Sequence, residues 1–145
     1  MNTLTHNKRF GLVLKSAVAT ILFGGMSIAF AASDAVTLSG NDEVPAVTTS
    51  ASGTGSVKVA DDKAVSGSVT TKGITATAAH IHEGEMGKNG PVVIALTKSG
   101  DDKWVVPDGA KFNDAQYESY KAGKLYVNVH SAAHKDGEIR GQLKP

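Results

Sequence analysis

Apolar and polar residues alternate with a period of two along most of the chain beyond residue 35. Val36-Thr37-Leu38 opens the pattern, and Ser56-Val57-Lys58-Val59 and Val65-Ser66-Gly67-Ser68-Val69-Thr70 continue it. Between the last two, Ala60-Asp61-Asp62-Lys63 is a polar run that reads as a hairpin turn. Ile74 to His82 and Pro91 to Thr97 are β-like runs, while Leu125-Tyr126-Val127-Asn128-Val129-His130 and Glu138-Ile139-Arg140-Gly141-Gln142-Leu143 alternate again. One stretch departs from this rhythm: Asn113-Asp114 can cap a short helix that runs through Ala122 and stops at Gly123. Period-two alternation broken by Gly, Asp and Asn predicts an all-β, antiparallel sandwich of about seven strands with one short helix. No internal repeat is visible, so residues 32–145 read as one domain.

The first 31 residues follow a different pattern. They hold Lys8, Arg9 and Lys15 and no carboxylate, then an apolar stretch from Ser16 to Phe30 that closes on Ala29-Phe30-Ala31. A basic start, a short apolar run and a small-x-small end describe a cleavable signal peptide. The run falls short of the ~20 residues that a membrane-spanning helix requires. Residues 1–31 are therefore expected to be removed on export, leaving a periplasmic or secreted domain with no membrane span. No cysteine follows the cleavage motif, which excludes a lipoprotein anchor.

Composition changes the picture in two ways. The chain has no cysteine, which removes disulfide frameworks, thiolate zinc sites, redox pairs and cysteine nucleophiles together. Its formal net charge of +1 is also misleading, because three of the 15 basic residues and none of the 14 acidic ones lie in the leader. The remaining domain is mildly acidic and carries a single arginine, Arg140. Scattered lysines on such a background leave no electrostatic footprint for nucleic acid.

Candidate chemistry gathers on histidine. The domain has four: His80, His82, His130 and His134. In a strand, His80-Ile81-His82 presents both imidazoles on one face, about 6.6 Å apart along the chain, a spacing from which both rings can reach one ion. His130 closes another strand, and His134 follows in a polar turn. If those strand ends lie side by side, three or four imidazoles converge at one rim. Nitrogen donors without thiolate suit Cu(II) or Zn(II), and the affinity order favours copper. The competing reading is a set of hydrogen-bonded structural histidines.

Other constellations are weaker. Gly84 to Pro91 lacks the Lys-Ser/Thr ending and following helix of a phosphate loop, and reads as a wide turn. Met86 in that turn reads as an exposed loop residue. Glu138 and Arg140 share a strand face, either as a structural pair or as an anion holder near a metal. Asp42-Glu43 reads as plain loop charge, and Trp104, Tyr117, Tyr120 and Tyr126 as core and rim aromatics. No nucleophile elbow or His-Glu-x-x-His pattern is present.

Five blocks, in order, resemble the chordin-type domain, the CHRD family. They are Leu38-Ser39-Gly40-Asn41-Asp42-Glu43-Val44-Pro45, Ala79-His80-Ile81-His82, Asn89-Gly90-Pro91-Val92-Val93, Tyr126-Val127-Asn128-Val129-His130 and Gly137-Glu138-Ile139-Arg140-Gly141-Gln142-Leu143. The resemblance implies an extracytoplasmic β-sandwich module without an established activity. Its pattern covers His80, His82, His130, Glu138 and Arg140, but not His134. The His-x-His strand, later His and single Arg are also similar to copper superoxide dismutases, although their zinc loop and disulfide have no counterpart here. The layout is thus expected to be immunoglobulin-like or superoxide-dismutase-like. The leading expectation is an exported module that binds copper or zinc through the histidines, with an envelope protein as a further partner. A dismutase-like enzyme using Arg140 to steer the anion, and a metal-free interaction module, are the alternatives.

Overall fold

The computed structural model describes residues 35–145; the expected signal peptide, residues 1–31, lies outside them. Nine strands form a single antiparallel sheet. They are β1 (Ala35–Ser39), β2 (Ser52–Val59), β3 (Val65–Lys72), β4 (Ala76–Glu83), β5 (Val92–Ala95), β6 (Thr97–Lys98), β7 (Lys103–Val105), β8 (Leu125–Ser131) and β9 (Ile139–Gln142). A 3-10 turn, Gly40–Asp42, follows β1, and α1 (Asp114–Lys121) precedes β8.

The strand order is β5-β4-β8-β9-β1-β2-β3-β7-β6. The two outer strands are neighbours in sequence, separated by Leu96 alone. One run of chain therefore pairs with β4 at its start and with β7 at its end, and the Leu96 amide donates to Ala79 at the crossing. The sheet is thereby drawn into a nearly barrel-shaped form. The all-β antiparallel expectation holds, and the strand count is nine rather than about seven. Two of the extra strands arise because the expected Pro91–Thr97 run bends at Leu96 and because Lys103–Val105 is only three residues long.

Alternation sorts the residues as the pattern requires. Leu38, Val69, Ile81, Leu125, Val127, Val129 and Ile139 all point inward with no exposed surface, each contributing about 1.5–3 kcal/mol by burial. The β2–β3 hairpin turns through Asp61 and Asp62, with Lys63 at φ 72° and the Ala60 amide bonded to the Ala64 carbonyl. Helix α1 begins with a capping box, Asn113 and Gln116 each bonding the other's backbone amide, and ends before Gly123 at φ 69°. Its Tyr120 is buried near Phe112.

Strand β8 is unusual in that all seven of its residues are buried. Leu125, Val127 and Val129 face the core. Tyr126, Asn128 and His130 face outward, beneath the loops around residues 40–48, 84–90 and 132–137. Those loops are tied down by the Asn89 side chain donating to the Val44 carbonyl, and by Gln142 donating to the Gly84 carbonyl. A second, polar layer is thus sealed over the outer face of the sheet. Among the described residues, no helix is long and apolar enough to cross a membrane.

Candidate metal centre

The outer face of β4 and β8 carries the site. Cross-strand register sets His82 opposite Tyr126, His80 opposite Asn128 and Ala78 opposite His130. Directly paired residues share a face, so the three imidazoles form a triangle on the sheet. Ring centroids lie 5.5 Å apart for His80 and His82, 4.8 Å for His80 and His130, and 5.9 Å for His82 and His130. One ring nitrogen from each falls within 4.8 Å of the others. The group sits on the covered face of the sheet rather than at its rim, because the loops enclose it there.

Two of the three rings are oriented from behind. His82 Nδ1 lies 2.9 Å from the Gly90 carbonyl oxygen, and His130 Nδ1 lies 2.9 Å from that of Lys135. A carbonyl only accepts, so Nδ1 carries the proton in both rings and Nε2 of the neutral ring keeps its lone pair. His130 Nε2 stands 3.0 Å from His80 Nδ1. His82 Nε2 is buried and has no hydrogen-bond partner. Burial, chiefly, pushes the His80 pKa down, with His130 and His82 adding to the effect. Burial also lowers that of His82, assisted by His130 and Arg140 against the raising effect of the Gly90 carbonyl. Both rings are therefore neutral near pH 7, the form that ligates metal.

A carbonyl behind an imidazole whose other nitrogen points to a shared space is the outer-shell arrangement of metal-binding histidines. Nitrogens bound at ~2.0–2.1 Å to one ion lie at most ~4.2 Å apart, so the triangle needs only a small contraction. The residues fit Cu(II) or Zn(II), with no soft donor among them.

The fourth expected ligand, His134, is not brought to this group. Its main-chain oxygen accepts from the Ser131 and Gly137 amides, and its amide hydrogen-bonds Ser131 Oγ. It builds the turn that aims the Lys135 carbonyl at His130, while its side chain lines a separate recess of about 200 Å³ with Glu43 and Pro45. Glu138 and Arg140 do not pair with each other. Glu138 accepts from the Thr49 and Ser131 hydroxyls. Arg140 donates to Asn89 Oδ1, the Glu85 carbonyl and Gln142 Oε1, and its guanidinium sits 3.4 Å from the centre of the Tyr126 ring.

Two participants are misread by the sequence. Tyr126 is no rim aromatic. Its ring stacks on His82 at 5.0 Å, nearly parallel, and its hydroxyl accepts from the Gly90 amide at 3.1 Å. It thus locks both the His82 ring and the loop that holds it. Glu43 is not plain loop charge. It is 6% exposed, both carboxyl oxygens lie 3.0 Å from Asn128 Nδ2, and burial pushes its pKa up to about 7 against the lowering effect of Asn128 and Arg140. The available signal was Asn128: an amide between Tyr126 and His130 on one strand face requires a polar partner if that face is covered.

Comparison with known proteins agrees with the architecture. No curated protein and no solved structure matches this chain. A family model of the CHRD domain matches residues 35–143, which takes in every strand and the whole histidine triangle. By that match, and by the five motif blocks that fall within it, the chain belongs to the CHRD domain family.

Proposed function

We propose that this CHRD domain is a binding module for a metal ion, with copper favoured over zinc, held by His80, His82 and His130. The observation that carries the reading is His82 Nε2, a buried nitrogen with no hydrogen-bond partner, in a group where one ring nitrogen of each of three imidazoles lies within 4.8 Å of the others. A buried acceptor left unsatisfied costs about 1–3 kcal/mol, and an ion bound there removes that cost. The basic, then apolar pattern of residues 1–31 supports work outside the cytoplasm, after loss of that leader. Arg140 favours binding over dismutation: its guanidinium is stacked on Tyr126 and engaged with loop oxygens, rather than standing free at an open metal.

The test is titration of metal-free protein with Cu(II), followed by visible absorption and electron paramagnetic resonance. Nitrogen hyperfine structure and a saturable site at one equivalent are expected, with both lost in the variant His80→Ala plus His82→Ala. Undiminished binding in that variant would discard the site. Superoxide decay faster than with an equal amount of free copper would replace the binding reading with the enzyme.

A further inference from the structure

Arg140 is 1% exposed, yet among the described residues no carboxylate lies within ion-pair distance of it. Its hydrogen-bond partners are all neutral oxygens, at 3.1–3.3 Å. These are long contacts for a guanidinium, whose charge-assisted bonds run to ~2.7–2.9 Å. A buried charge ordinarily has a counter-charge. Arg140 and Gln142 line a cavity of about 370 Å³ between the Asn41–Val44 loop and Met86. Lys144 lines it too, exposed and likewise without an acid partner among the described residues.

The cavity's own acids are directed to other partners. Asp42 accepts a hydrogen bond from the Ser39 hydroxyl. Glu43 is turned to Asn128, and burial raises its pKa to about 7. Arg140 and Lys144 thus share the cavity with two acids that already hold hydrogen-bond partners of their own. Val44 and the 77% exposed Met86 supply apolar wall beside them.

We propose that this cavity binds a small organic acid, its carboxylate set against Arg140 and Lys144 and its short apolar body against Val44 and Met86. A planar guanidinium matches a carboxylate, and the apolar walls together with the volume favour an organic acid over a bare inorganic ion. The site stands apart from the metal centre. No histidine lines the cavity, and the strand order sets Tyr126 on β8 between His82 on β4 and Arg140 on β9.

The test titrates metal-free protein, dialysed free of chelator, with succinate, with inorganic phosphate and with the neutral amide succinamide. The readout is the nuclear magnetic resonance shift of the Gln142 side-chain amide and of Arg140 Nε–H. Saturable shifts with succinate, absent with succinamide, are expected. Loss of one charge should weaken binding about threefold in Lys144→Gln, which is exposed and leaves the fold intact, and about tenfold or more in Arg140→Gln. Lys144→Gln decides the matter if the Arg140 variant does not fold. No shift up to about 50 mM succinate, equal affinity in Lys144→Gln and the parent, or tighter binding of phosphate than of succinate overturns the proposal. Retained copper binding alongside any of these results leaves the histidine site standing.

Discussion

A carboxyl group 6% exposed and facing a side-chain amide behaves unlike a loop acid, and Glu43 shows what that does to the molecule. Its pKa is raised from 4.5 to about 7, mainly by burial. The folded state therefore binds more protons than the unfolded state between those values, so Glu43 makes stability fall as pH rises through that window. His80 and His82 act in the opposite sense. Their lowered pKa values mean that the unfolded chain binds more protons below about 6.5, so their contribution to stability grows as pH rises toward that value. Glu43→Gln removes the ionisation and keeps a hydrogen-bonding group against Asn128. We expect it to raise stability at pH 8 by about 2 kcal/mol, discounted for partial solvent access, and to leave pH 4 nearly unchanged; urea unfolding at the two values checks this. Parent and variant with equal pH profiles would show that Glu43 is solvated. The sequence could not disclose this residue's state, because nothing near position 43 signals that Asn128, 85 residues away, lies beside it.

At the scale of elements, the site depends on loops more than on strands. The β4 and β8 runs were readable from alternation, as was the shared face of His80 and His82. Helix α1 was readable as well, through its Asn113 cap and the glycine at 123. Asn113→Ala should cost about 1 kcal/mol in denaturant unfolding with metal affinity unchanged, since the cap is remote from the histidines. The Gly84–Gly90 loop is different. Its Gly90 carbonyl fixes the His82 ring, its Gly90 amide bonds Tyr126, and a Cβ on Gly90 would overlap the Glu83 carbonyl oxygen. Gly90→Ala must displace that loop. We expect copper affinity to fall about tenfold or more, as when an outer-shell partner of a ligand is lost, measured by competition against a chelating dye. Wild-type affinity in this variant would mean that the loop does not orient the ligand. The sequence presented this loop as a wide turn, because a turn's composition says nothing about which sheet face it folds over.

For the whole molecule, closure bears on stability, and so would the proposed metal. The segment from Val92 to Lys98 joins both margins of the sheet, with Leu96, 7% exposed, at its bend. Leu96→Ala should destabilise the fold by about 2–4 kcal/mol, through lost burial and a cavity at the seam; a change near zero would show that the seam is not packed. A metal that binds only the folded chain adds stability by mass action, about 2.7 kcal/mol at a free concentration 100 times the dissociation constant. Copper should accordingly raise the melting temperature of the parent and leave that of His80→Ala plus His82→Ala unmoved. The sequence by itself determined the strands that alternate, the capped helix, the absence of thiol chemistry and the common face of His80 and His82, because each follows from local backbone geometry or from composition. Only the tertiary structure decided that His130 joins that pair while His134 turns away, that Glu43 and Arg140 are buried, and that a cavity opens beside them. Those outcomes depend on which loop covers which strand, and burial, ring orientation and charge compensation belong to contacts between residues far apart in the chain.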